Sequence, residues 1–179
     1  VGGAGNDTID GGSSLNENDR EHVDVVAYVL EGGPNGVTVN LGTNSATDSF
    51  GNTDVLTDIE AVAGTHFDDV LIGDDGNNIF AGGDGADSID GGGGFDEVDY
   101  ESLGQDGVGV EVDLAGGFAT DSYGNRDTLQ NIEDVFGTPF NDSIFGDDGD
   151  NVLSGGAGND EISGGAGNDF LIPSDGDGD

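Results

Sequence analysis

The chain is 179 residues long and sets 39 acidic residues against 2 basic ones, for a formal charge of −37, with 37 glycines. That charge excludes nucleic acid as a partner, since only Arg20 and Arg126 could meet phosphate, and it disfavours an anionic membrane surface or acidic polysaccharide. There is no cysteine to supply disulfides, so a polymer this acidic and flexible should not collapse without a neutralising partner.

Residues 2–10, GGAGNDTID, form a nine-residue unit with Asp7 in the sixth place and the branched Ile9 in the eighth. A second unit opens at Gly11 and is interrupted by Leu15–His22, read as a bulging surface loop, before Asp24 and Val26 resume the pattern. Val37, Val39 and Leu41 then alternate as in a half-buried strand, and Ser49–Asp54 reads as a turn. Val55–Ala63 returns to the nine-residue frame with Glu60 in the carboxylate place and Val62 in the core place. Residues 29–63 span nearly two 18-residue coils, and are expected to be solenoid with wider turns rather than an insertion.

Residues 64–99 hold four further units, with Asp69, Asn78, Asp87 and Asp96 in the sixth place and Leu71, Phe80, Ile89 and Val98 in the eighth. Residues 101–136 repeat the earlier segment at an offset of 73, Val37 answering to Val110 and Glu60 to Glu133. Four last units, residues 137–172, place Asp142, Asn151, Asp160 and Asp169 sixth and Ile144, Leu153, Ile162 and Leu171 eighth. Pro173 stops the strand pattern. Beyond it, Asp175, Asp177 and Asp179 have the spacing that opens an EF-hand-type loop, a solvated acidic tail being the other reading. The expected organisation is a partial block over 1–28, a 73-residue module over 29–100, a second over 101–172 and a tail over 173–179, all in one continuous solenoid.

The unit has a physical logic. Six residues rich in Gly, Asn and Asp make a tight turn, and the last three form a short strand whose single inward side chain is the eighth. One unit cannot bury an apolar face, but two make a coil, and stacked coils give two parallel sheets around a thin aliphatic core. The turns then pile into columns that bring sixth-place carboxylates 18 residues apart into proximity: Asp69 with Asp87, Asn78 with Asp96, Asp142 with Asp160, Asn151 with Asp169. Glu60 and Glu133 would extend a column toward Asn78 and Asn151, with the amides making looser sites than carboxylates. Such like charges repel unless a hard cation with oxygen ligands sits between successive turns, and calcium's flexible coordination suits the place. Two blander readings compete: a disordered Gly/Asp linker, which has no reason to keep a nine-residue apolar frame, and aspartates that merely cap their own turns.

The pattern G-G-x-G-x-D-x-U-x, carried in tandem over 2–10, 64–99 and 137–172, resembles the calcium-binding nonapeptide of the RTX (repeats-in-toxin) family. The resemblance implies an all-β parallel β-roll of 18-residue coils, with calcium as cofactor and with Asp7, Asp24, Glu60, Asp69, Asn78, Asp87, Asp96, Glu133, Asp142, Asn151, Asp160 and Asp169 as metal ligands. It also implies a secreted or cell-surface protein, exported by type I secretion. Val1 stands mid-repeat, and a fragment of a larger secreted protein is the expectation.

No catalytic signature accompanies the repeats. His22 and His66 lack a second histidine at ligand spacing, neither GxSxG nor a P-loop occurs, and no one carboxylate pair stands out among 39 acids. The chain is therefore read as a non-enzymatic structural module of an adhesin, S-layer or filament-like protein. The rival is the calcium module of a secreted protease, lipase or polysaccharide epimerase. Apolar residues in the seventh and ninth places (Val70, Ile72, Ile79, Phe145, Val152, Phe170, Ile172) suggest lateral or end-to-end self-association. Tyr28, Tyr100 and Tyr123 could stack on sugar rings, with core or edge packing as the alternative. No segment is long and apolar enough for membrane insertion.

Overall fold

A computed structural model of the chain describes residues 2–12, 23–101 and 108–173. The loop expected over Leu15–His22 and the acidic tail lie outside the described residues. The first ten strands are β1 (Thr8–Asp10), β2 (Val25–Ala27), β3 (Thr38–Asn40), β4 (Ser45–Thr47), β5 (Thr53–Thr57), β6 (Ala61–Ala63), β7 (Val70–Ile72), β8 (Ile79–Ala81), β9 (Ser88–Asp90) and β10 (Glu97–Asp99). The rest are β11 (Glu111–Asp113), β12 (Phe118–Thr120), β13 (Arg126–Gln130), β14 (Asp134–Phe136), β15 (Ser143–Phe145), β16 (Val152–Ser154), β17 (Glu161–Ser163) and β18 (Phe170–Ile172).

These strands make an all-β roll of two facing sheets. The short sheet runs β2-β6-β8-β10-β14-β16-β18 and is parallel throughout. The long sheet runs β1-β5-β4-β3-β7-β9-β13-β12-β11-β15-β17. In the regular units the alternation of side chains decides which residue is inside. The middle residue of each three-residue strand faces the core, so Leu71, Phe80, Ile89, Val98, Ile144 and Leu153 are fully buried. Parallel register stacks like on like across coils: Leu71 on Ile89, Ile144 on Ile162, Leu153 on Leu171. One cluster from Val26 to Leu153 links both modules, with Ile9, Leu114 and Ile162 packed against it.

Two expectations need correction. Residues 29–63 are not a plain solenoid with wider turns. β3, β4 and β5 form an antiparallel meander inserted into the long sheet, and β11, β12 and β13 repeat it. The chain reverses after β3 because a 3-10 turn, Leu41–Thr43, ends on Asn44 in the left-handed region at φ 55; Gly117 (φ 70) does the same after β11. It reverses again after β4, where the Asp48 carboxylate accepts N–H bonds from Phe50 (3.0 Å) and Asn52 (2.6 Å) and closes the turn. Asp121 closes the matching turn through Tyr123 (2.9 Å) and Asn125 (2.7 Å). The eight strands of each module therefore divide five to the long sheet and three to the short, not four and four.

The second correction is Leu171, expected inside yet 40% exposed, because β18 ends the short sheet and no described coil covers it. Of the outward apolar residues, Val70, Phe170 and Ile172 are exposed, while Ile72, Ile79, Phe145 and Val152 are half-buried. Among the described residues no helix is long and apolar enough to cross a membrane.

Candidate metal site in the stacked turns

The turns stack into two columns, one along each edge of the roll. Within a column, the backbone N–H of one sixth-place residue donates to the side chain of the next. This bond joins all four pairs expected from the sequence: Asp69 to Asp87 (2.9 Å), Asn78 to Asp96 (2.7 Å), Asp142 to Asp160 (3.0 Å) and Asn151 to Asp169 (3.1 Å). Asp24 donates to Glu60 (2.9 Å) and Asp96 to Glu133 (2.9 Å) in the same way. The carbonyls of Glu60 and Glu133 in turn accept from Ile79 N–H (3.0 Å) and Asn151 Nδ2 (3.4 Å). Both glutamates thus stand in the column that runs to Asn78 and Asn151.

Asp7 meets a residue the nonapeptide frame does not flag. Its N–H donates to Asp54 (2.9 Å), just as Asp87 N–H donates to Asp127 (3.0 Å). Asp54 and Asp127 are fully buried members of the long-sheet column. The signal that finds them is an aspartate two residues before a core leucine, Leu56 or Leu129, the spacing that separates Asp87 from Ile89.

The second place of each unit divides the turns into two kinds. In the closed kind this residue is not glycine, and its N–H points back at the sixth side chain: Thr65 to Asp69 (2.6 Å), Asp74 to Asn78 (2.9 Å), Thr138 to Asp142 (2.7 Å), Asp147 to Asn151 (3.0 Å). The Thr65 and Thr138 hydroxyls add bonds of 3.0 and 2.7 Å to the same carboxylates. In the open kind the second residue is a glycine at positive φ, such as Gly83 (φ 107) or Gly92 (φ 91). There the sixth carboxylate gets no such donor. Oδ2 of Asp7, Asp87, Asp96 and Asp160 is buried without a hydrogen-bond partner.

Each expected pair sets one closed turn against one open turn. The Thr65 and Phe67 carbonyls of the closed turn face Gly83 and Gly85 of the open one so closely that a Cβ at either glycine would collide with them. Thr138 and Phe140 face Gly156 and Gly158 alike. The first glycine has its own reason: Asp87 Oδ2 folds back over the Gly82 Cα, where a Cβ would meet it.

The electrostatics follow from burial without compensation. Burial pushes Asp87 up to about 8, with the Asp127 and Asp69 charges adding to the effect against the Asp69 N–H bond. Burial likewise carries Asp96 to about 7 and Asp127 to about 6, and raises Asp54, Asp69 and Asp142. Arg126, the only basic residue among those described, stacks 3.8 Å over the Phe118 ring. His66 lies exposed against Phe67.

The family described as RTX calcium-binding nonapeptide repeat (4 copies) matches residues 1–14, 64–98 and 136–171. These segments, 85 of the 179 residues, are similar to RTX repeats. They contain nine of the twelve expected ligands, leaving Asp24, Glu60 and Glu133, and both meanders, outside the matched residues. RTX repeats bind calcium, and the turns suit that ion. Among the described residues no three Asp, Glu, His or Cys side chains gather tightly enough to hold a metal by themselves. An RTX ion here would draw on paired sixth-place side chains and on turn carbonyls, an all-oxygen donor set for a hard cation. The bare Oδ2 atoms fit this need, since a buried unpaired carboxylate costs several kcal/mol unless a cation or a proton neutralises it. No curated protein matches the chain.

Tyr28 and Tyr100 are fully buried and reach the meander aspartates, whereas Tyr123 is exposed.

Proposed function

We propose that this chain is a calcium-dependent structural module that folds outside the cell when ions enter the spaces between each closed turn and the open turn 18 residues further on. The observation that carries the reading is the buried, unpartnered Oδ2 of Asp87, Asp96 and Asp160, each over the opening glycine of its own unit, in a turn stacked on one whose carboxamide or carboxylate is already satisfied. Asp69, Asn78, Asp142 and Asn151 supply the other side of those spaces, and Asp169 repeats the open arrangement with Asn151. Binding is coupled to folding, because the paired turns exist only once the coils have stacked. Extracellular-type affinities of roughly 0.1–1 mM would keep the chain unfolded in a low-calcium cytosol and fold it after export.

The role is mechanical and not catalytic: a spacer in a secreted or cell-surface adhesin, S-layer or filament-like protein. The 73-residue duplication supports this reading, since it lengthens the roll without adding a new kind of site. The exposed Val70, Phe170 and Ile172 offer a lateral contact to further copies. Circular dichroism tests the central claim: the β signal should appear on titration with calcium and collapse in chelator. An equal β signal in both would overturn it.

A further inference from the structure

The regular units open on glycine, but where the chain leaves the roll to build a meander a tyrosine holds that place. Tyr28 follows β2 directly and Tyr100 follows β10. Their backbones behave like those of the opening glycines. Tyr28 N–H donates to the Ala63 carbonyl (2.7 Å) and Tyr100 N–H to that of Phe136 (2.8 Å), as Gly64 does to Ala81 (2.8 Å). After either tyrosine the nine-residue frame breaks off in the sequence, and it resumes only at Val55 and, 73 residues on, at Thr128. The long-sheet strand found there arrives instead from the meander, as β5 or β13, bringing Asp54 or Asp127.

These aspartates share half the bonding of a column carboxylate. Oδ1 of Asp54 and Asp127 accepts the N–H of Asp7 and Asp87, the same bond that Asp87 Oδ1 makes with Asp69. They differ at the second oxygen. Where Asp7, Asp87, Asp96 and Asp160 leave Oδ2 bare, Asp127 Oδ2 accepts the Tyr100 hydroxyl at 3.0 Å and Asp54 Oδ2 the Tyr28 hydroxyl at 3.4 Å. Both phenols and both carboxylates are fully buried.

We propose that Tyr28 and Tyr100 are plugs that take the place of an ion, closing the spaces beside Asp54 and Asp127 to calcium and dividing the long-sheet column into separate ladders. Each phenol ring is buried in the roll, and its O–H satisfies the oxygen that a cation would otherwise meet. The plug specifies where metal does not bind, so it sets the number of ions the module holds. This rests on the calcium reading above.

Native mass spectrometry of the full chain in calcium tests it. Tyr100→Phe leaves Asp127 Oδ2 as bare as Asp87 Oδ2, and should take up one calcium more than the wild type; Tyr28→Phe should do the same at Asp54. Asp127→Asn keeps an acceptor for Asp87 N–H and should bind the wild-type number. A Tyr100→Phe chain that folds with the wild-type count, or an Asp127→Asn chain that binds one ion fewer, overturns the proposal. Should Tyr100→Phe fail to give a β signal, the Asp127→Asn count decides alone. A wild-type chain that binds no calcium would instead sink the reading beneath it.

Discussion

In the open turn over 83–87 the buried Asp87 keeps one oxygen bare, whereas in the meander turn over 48–52 the equally buried Asp48 is met by donors on both oxygens. The consequences are opposite. Burial pushes Asp87 up to about 8, while at Asp48 burial is outweighed by hydrogen bonds from Asn52, Phe50 and Gly5 and the carboxyl ends below its ordinary value. The meander turn at Asp48 supplies its own donors and holds its charge without help. The open repeat turns withhold them, and their charge has to be answered from outside the chain. Sequence composition alone makes these two aspartates look alike.

The widest separation between the two regions should come from pH. An aspartate that titrates at 3.8 in the unfolded chain and at about 8, 7 or 6 when folded, as at Asp87, Asp96 and Asp127, binds more protons in the folded state. The calcium-free fold then has its full stability below 3.8 and loses it as pH rises through 6 to 8. Calcium inverts the slope, because its ligands must be ionised. Acidifying the chelated chain from pH 8 toward 5 should therefore restore β signal, and calcium affinity should fall over the same window. A chelated chain indifferent to that range would erase the distinction drawn here.

Leu129→Ala comes next, at about 2–5 kcal/mol, the usual cost of a large-to-small change in a well-packed core. Because Leu129 lies in a meander strand, thermal melts in saturating calcium should fall while the ion count holds. A smaller effect belongs to Gly82→Ala, whose Cβ would displace Asp87 Oδ2. Calcium titration should show one weakened site with the fold retained, and an unchanged isotherm would detach that oxygen from ion binding. Smallest is Asp48→Ala, worth about 1–3 kcal/mol for the N–H groups it leaves without an acceptor. It should lower stability and spare the calcium isotherm.

Much of this was legible in the sequence. The nine-residue frame found the core residues from Leu71 to Leu153 and paired Asp69 with Asp87 correctly in space, because a repeat that buries one side chain per unit leaves a strict periodicity. The meander was not legible by the same means. Alternation in Val37, Val39 and Leu41 announces a strand without saying whether its neighbour is parallel, and that choice fell to Asn44 and Gly117, single residues that reverse the chain. Asp54 and Asp127 escaped because a turn closed by Asp48 or Asp121 precedes them in place of a glycine-rich hexapeptide. The open and closed turns are separable by eye, as Gly-Gly against Gly-Thr or Gly-Asp, but only hydrogen-bond geometry gives that difference a meaning.

The unequal strand numbers of the two sheets have a mechanical side. Four strands more, at about 4.8 Å apiece, make one face wider than the other by about 19 Å, and the excess enters only at the two meanders. Either that face bows outward or the axis swings away from it, and the swing has the same sense in each module. Many such modules joined in series would trace a curve rather than a straight rod. Pulled from its ends, such a curve could lengthen by straightening its bends before any strand pairing had to break.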